Sequence, residues 1–240
     1  MWKDGRNRVE FQSRWALLME TTEQVLEEGV YSYAEAARLL GVSRQRLARW
    51  ADGYFYPRRV GEGFSAPVLH ARDHRRGILT FPELIELFFV REFVALGVSL
   101  QHIRKTAEAL AREVGEFPFS RKQVLVDGRT LLVREAEGVL KRPDIGQLAA
   151  DFAEQFAQQI EFEGDLATRY YPPGYERRIY LDRRIRGGEP VVSERAIPTR
   201  VIYALWQREK DLQSVADYFE APESVVSAAI RYEGEWRLSA

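Results

Sequence analysis

The chain has 240 residues, 45% hydrophobic and 30% charged, which suits a soluble globular protein of one to three domains. It contains no cysteine, which excludes a disulfide framework, thiol catalysis, a zinc finger and cysteine-based metal or redox sensing. Its formal net charge is −1, no apolar run reaches the roughly 18 residues of a membrane span, and MWKDGRNRVEF has no signal-peptide core, so a cytoplasmic protein without membrane association is expected.

Residues 1–30 read as an N-terminal helical extension, with Phe11, Trp15, Leu18, Met19, Val25 and Leu26 at patchy helical spacing. The stretch Ser32–Arg59 is more informative and predicts two short helices joined by a tight turn. Ser32 and Glu35 form a capping box, and Ala34, Ala37, Leu39 and Leu40 supply the apolar face of the first helix. Gly41 suits the left-handed residue that ends a helix, and Val42 pins the turn. Ser43 caps the second helix, whose Leu47 and Trp50 point inward while Arg44, Gln45, Arg46 and Arg49 are left outside. A small-residue helix, a glycine turn and a basic helix match the requirements of a helix-turn-helix entering a major groove. A helical hairpin with a solvated arginine face is the competing reading.

Charge distribution favours the first. Ser43–Arg76 holds eight arginines (44, 46, 49, 58, 59, 72, 75 and 76), three acids and no lysine, giving +5 on a chain of −1. Arginine without lysine favours bidentate contacts to phosphate and guanine. After Arg59, Pro67–Ala71 and Ile78–Thr80 look extended around a DHRRG tip, placed where a wing follows a helix-turn-helix. Thr80 and Glu83 form a second capping box for a helix reaching Leu96. Gly97 and Val98 end that helix, and Ser99 caps another to about Val114 with Leu100, Ile103, Ala107 and Leu110 buried.

Gln123–Val133 predicts a hairpin around Asp127-Gly128. A helix over 144–160 follows, with Leu148, Phe152, Phe156 and Ile160 at four-residue spacing, suited to packing on a partner or neighbouring domain. TRYYPPGYERR (168–178) breaks the periodicity and reads as a linker. Beyond it come the extended IYLD, a turn at Gly187-Gly188, the strand Pro190–Val192, and helices over 199–208, 212–219 and 222–232, with Asp211 capping the second. The expected fold is mainly α with small β-hairpins. Its divisions are 1–30, a winged helix-turn-helix at 31–115, a connector and candidate dimerisation element at 116–167, the linker at 168–178, and a small helical, helix-turn-helix-like domain at 179–240.

The candidate DNA-binding residues are Ser43, Arg44, Gln45, Arg46 and Arg49 on the recognition helix, Tyr56, Arg58 and Arg59 after it, and Arg72, His74, Arg75 and Arg76 in the wing. A flexible charged turn competes for the wing set, and core packing competes for Tyr54 and Tyr56. In the C-terminal domain, Tyr203, Trp206, Tyr218, Phe219, Tyr232 and Trp236 are the residue types that dominate protein interfaces, and core filling is their alternative. His70, His74 and His102 lack carboxylates at metal-ligand spacing. Asp151 with Glu154, and Glu161 with Glu163, read as solvated surface. Gly187-Gly188 lacks the lysine and helix of a phosphate loop. No enzyme, metal or cofactor is expected.

Residues 31–112 resemble the winged helix-turn-helix of the MerR family. The matching elements are A-A-R-L-L-G-V-S (36–43), the following helix with Arg46, Arg49 and Trp50, and L-G-V-S-L-x-x-I (Leu96 to Ile103). The C-terminal segment resembles the small helical domain of unknown function 433 through Gly188-Glu189-Pro190-Val191-Val192, Ile197-Pro198 and V-V-S-A-A-I-R-Y-E (225–233). The Gly-Thr-Arg usual before Ile-Pro is Glu194-Arg195-Ala196 here, and the MerR coiled coil and metal cysteines are missing. Together the two halves resemble a VapB-type antitoxin. That resemblance implies a homodimer that binds operator DNA, represses its own promoter and neutralises a PIN-fold ribonuclease toxin of a type II toxin–antitoxin pair. A ligand-responsive MerR-like transcription regulator without a toxin, with its effector pocket over 117–165, is the alternative.

Overall fold

A computed structural model describes residues 29–69, 77–127 and 143–238. The helix-turn-helix is built from local signals. Strand β1 (Val30–Ser32) leads into α1 (Tyr33–Leu40). Ser32 Oγ accepts from Glu35 N–H at 3.2 Å, while the Glu35 carboxylate accepts from Ser32 N–H at 2.8 Å. Gly41 closes the helix at φ +62, ψ +34. Helix α2 (Arg44–Asp52) then starts on Ser43, whose Oγ accepts from Arg46 N–H at 3.2 Å. Ala34 is exposed; Tyr33, Ala36, Ala37, Leu39 and Leu40 form the buried face instead.

The hairpin after α2 lies elsewhere than its expected place. Strands β2 (Tyr54–Pro57) and β3 (Glu62–Ser65) pair antiparallel, with Phe55 opposite Phe64 and Tyr56 opposite Gly63. Ile78–Thr80, expected as the wing's second arm, is β4 and pairs with β1 through Tyr31 opposite Leu79. Burial decides this: Leu79 is fully enclosed there and Tyr31 nearly so. Val68 N–H is fastened to the Trp50 carbonyl at 2.7 Å. Arg72, His74, Arg75 and Arg76 lie outside the described residues, as do residues 1–28 of the helical extension expected over 1–30; Val30, at its end, opens a strand and no helix.

Helix α3 (Phe81–Ala95) is the central post, buried on every side from Phe81 to Val90. Glu83 caps it by accepting from Thr80 N–H at 2.7 Å. Helix α4 (Leu100–Val114) packs beside it on Ile103, Ala107 and Leu110. Gln123–Asp127 forms a π-helical turn, not the first arm of a hairpin, and the remainder of that expected hairpin lies outside the described residues. Val124 and Leu125 are both fully buried there, which a half-exposed hairpin arm would not allow.

Helix α5 (Pro143–Gln158) ends before Ile160, which opens a strand. Its aromatic face is spent within the chain: Phe152 lies 5.2 Å from Phe89, and Phe156 lies 6.0 Å from both Phe89 and Tyr170. A four-stranded antiparallel sheet follows in sequence order: β5 (Ile160–Glu163), β6 (Leu166–Tyr170), β7 (Ile179–Asp182) and β8 (Val191–Val192). Thr168–Tyr170, expected to open a linker, thus complete β6, because Tyr170 is pulled into the core against Phe88. Helices α6 (Thr199–Glu209), α7 (Leu212–Phe219) and α8 (Glu223–Leu238) enclose a second core around Val192, Ile202, Val215 and Val226. Asp211 caps α7 by accepting from Ser214 N–H at 3.3 Å.

Candidate nucleic-acid interface

Arg44, Gln45, Arg46 and Arg49 stand exposed on one side of α2, while Leu47, Trp50 and Ala51 bury the other. That division follows from helical period alone. Ser43 Oγ spends a lone pair on its cap and keeps its O–H as a donor beside Arg44. Tyr33 Oη donates to Asp52 Oδ1 at 2.7 Å, tying the last turn of α2 to the start of α1. Helix α2 is therefore held at both ends, with its basic side open.

Strand β2 begins directly after α2. Gly53 makes the reversal at φ +75, where a Cβ would sit 2.5 Å from the Ser65 carbonyl oxygen. The tip is Arg58-Arg59-Val60-Gly61, closed by Arg58 N–H donating to the Gly61 carbonyl at 3.1 Å. Tyr56 covers Gly63, where a Cβ would lie 2.5 Å from the Tyr56 ring. Both tyrosines are half-buried, and each lies under an arginine. Arg49 sits 5.2 Å from the Tyr54 ring and Arg58 5.4 Å from that of Tyr56, with Arg58 also donating to Tyr56 Oη at 2.9 Å. Arg104 of α4 donates to Ser65 Oγ at 2.9 Å and fixes the hairpin to the following helices. Burial lowers the Arg104 pKa from the ordinary arginine value.

Electrostatics separate this face from the rest of the molecule. Arg44, Arg46, Arg49, Arg58 and Arg59 form no ion pair among the described residues. Elsewhere many arginines are matched to carboxylates, although Arg38, Arg104, Arg112, Arg186 and Arg208, scattered over the fold, form no ion pair among the described residues either. Arg169 bridges Asp182 at 2.8 Å and Glu161 at 3.0 Å, Arg177 meets Glu161 at 2.7 Å, and Arg195 and Arg200 reach Glu220 and Glu189 at 2.5 and 2.7 Å. What distinguishes α2 and the hairpin tip is that five unmatched guanidiniums cluster there, where phosphates could neutralise them at no cost in broken pairs.

Sequence reasoning missed the exposed part of the hairpin. Phe55 is 70% exposed and Phe64 51%, their rings 4.9 Å apart, and Val60 at the tip is 89% exposed. The Tyr-Phe-Tyr alternation after Gly53, with Gly61 closing the tip, was the available signal. His102 Nδ1 lies 3.0 Å from Ser99 Oγ at the start of α4.

The six C-terminal aromatics divide. Tyr203 and Tyr232 are buried, Tyr232 against Tyr175, so both serve the core and not an open surface. Trp206 is half-buried beneath Lys210, Phe219 is half-buried, and Tyr218 is 72% exposed with its ring 5.0 Å from Phe219. The side chain of Trp236 lies outside the described residues. No helix among the described residues is long and apolar enough to cross a membrane.

Residues 29–107 match a protein family described as "Putative DNA-binding HTH domain". Over 220 residues the chain is 30% identical to "Putative antitoxin VapB45" of Mycobacterium tuberculosis, covering 83% of this chain and 92% of that protein. The X-ray crystal structure of Rv2018 from the same organism superposes with a TM-score of 0.67 at 26% identity, covering 83% of this chain and 96% of that one. With its helix-turn-helix and an alignment running through both halves, the chain belongs to the VapB antitoxin family.

Proposed function

We propose that this protein is the DNA-binding antitoxin of a type II toxin–antitoxin pair, which represses its own promoter and neutralises a PIN-fold ribonuclease. The observation that carries the DNA half is the cluster of five unmatched, exposed arginines on α2 and the β2–β3 tip. The order helix, turn, helix, hairpin, helix, helix supports a MerR-like winged reader. A two-fold homodimer would set two copies of α2 into successive major grooves about 34 Å apart. The partner half rests on family membership and on Trp206, Tyr218 and Phe219, which leave an aromatic rim on α6 and α7. The C-terminal residues that resemble the domain of unknown function 433 fall in this same part of the chain.

Gel shifts with the DNA upstream of the gene test the first half. Arg46→Ala should abolish or strongly weaken the complex, and unchanged affinity would sink the assignment of α2. Co-purification with the product of the neighbouring gene tests the second. A stoichiometric small ribonuclease supports it, and its capture should survive Arg46→Ala.

A further inference from the structure

Between the helix-turn-helix and the C-terminal half lies a cleft of about 240 Å³. Its body is apolar and aromatic: Leu39 of α1, Phe88 of α3, Tyr170 of β6, Leu181 of β7, Tyr175 and Tyr232 all line it, with Pro172 and Pro173 along one edge. Sites for drug-sized molecules start near 300 Å³, so this one suits a single one- or two-ring body. None of its lining residues comes from 117–165, the segment in which the sequence placed an effector pocket.

Two polar features distinguish it from a packing defect. Tyr170 is 3% exposed, its ring fixed between Phe88 at 4.5 Å and Phe156 at 6.0 Å, and its hydroxyl has no hydrogen-bond partner among the described residues. Its oxygen is not among the fully enclosed unpaired polar atoms, so it reaches the cleft and can donate to a group bound there. Burial also pushes the Tyr170 pKa well above the ordinary tyrosine value, so the group is a permanent donor. Arg38, on the exposed side of α1, lines the same cleft and forms no ion pair among the described residues. Arg91 adds a second guanidinium, held beside Phe88 by Glu92 and by the Leu40 carbonyl at 3.3 Å. The acid in the lining, Glu235, is already bonded to Tyr175 Oη at 2.5 Å and faces Arg231 at 4.0 Å.

A hydroxyl donor, an uncommitted guanidinium and a flat apolar body together define a ligand. We propose that this cleft binds a small aromatic carboxylate, its ring between Phe88, Tyr170 and Tyr175 and its carboxylate on Arg38 and the Tyr170 hydroxyl. Such a ligand would bridge α1 and the Gly41 turn to the C-terminal half. The site stands whether or not the basic face binds DNA, since it shares no residue with that face.

Titration calorimetry on the full-length protein tests it, with naphthoate and indole acetate as probes and naphthamide as the uncharged control. The carboxylates should bind saturably and the amide at least about tenfold more weakly, as expected for losing hydrogen bonds to a charged group. Tyr170→Phe, which keeps the ring, and Arg38→Gln, at an exposed position, should each weaken carboxylate binding by about tenfold or more. If Tyr170→Phe fails to fold, Arg38→Gln decides alone. No saturable heat at millimolar probe, equal affinity for the amide, or unchanged affinity in the variants that fold would each overturn the assignment.

Discussion

The hydroxyl of Tyr31 donates to the carbonyl of Gly188 at 2.8 Å, joining residues 157 apart in the chain. Tyr31 sits in β1, just before the helix-turn-helix, and Gly188 in the turn that precedes β8. The bond is buried, and the glycine's backbone is at φ +85. A Cβ at Gly188 would overlap the Tyr31 hydroxyl and ring. Tyr31→Phe strands a buried carbonyl and should cost about 1–2 kcal/mol in urea denaturation. Gly188→Ala should cost more, because it adds left-handed strain to the collision. An unchanged midpoint in Tyr31→Phe would show that the two halves do not lean on this bond.

Glu86 supplies a pH dependence. It is buried in α3 and accepts from Phe119 N–H at 2.5 Å and Ser120 N–H at 3.1 Å. Burial pushes its pKa up to about 8; the two backbone donors and Arg121 pull downward but do not win. Because the folded value lies above the unfolded 4.5, the folded state holds the extra proton between the two. The stability it contributes is fully present below about pH 4.5 and is lost as pH rises through about 8. Urea midpoints measured across that interval should fall with rising pH, and Glu86→Gln should flatten the slope.

Thr199 Oγ1 donates to Glu233 Oε1 at 2.6 Å, with both residues buried where α6 meets α8. Thr199→Val keeps the shape and removes the donor to a carboxylate. It should cost about 1.5–3 kcal/mol, read as a lower denaturation midpoint. An effect below about 0.5 kcal/mol, the level of an ordinary surface change, would mean that another group satisfies Glu233.

Arg58 and Arg59 at the hairpin tip are expected to meet phosphate, not bases. Replacing both with alanine should weaken binding to operator and unrelated DNA alike. It should also reduce the slope of log affinity against log salt by about 0.9 for each phosphate that is no longer neutralised. Weakening confined to operator DNA would instead make the tip a reader of sequence.

Much of the helix-turn-helix was legible because its signals are local. Ser32 with Glu35, Gly41, Ser43, Thr80 with Glu83 and Ser99 all act within a turn of their own helix, and each occupies its expected capping position. The exposed α2 arginines follow from the same period. Strand partners were not legible in that way. Ile78–Thr80 looked ready to fold back on Pro67–Ala71 but pairs with Val30–Ser32, since only that register encloses Leu79 and Tyr31. Asp127-Gly128 promised a hairpin whose first arm is a buried π-helical turn.

The same division holds for function. Composition and spacing alone determined a cysteine-free chain with capped helices and an arginine-rich, outward-facing second helix in the helix-turn-helix, because each depends on residues a few positions apart. Only the tertiary structure decided which arginines remain unmatched, which aromatics are spent in the core, and that Arg38 and Tyr170 share one cleft. Those outcomes turn on pairings between residues far apart in sequence, where burial and charge balance select one partner among many and no local pattern records the choice.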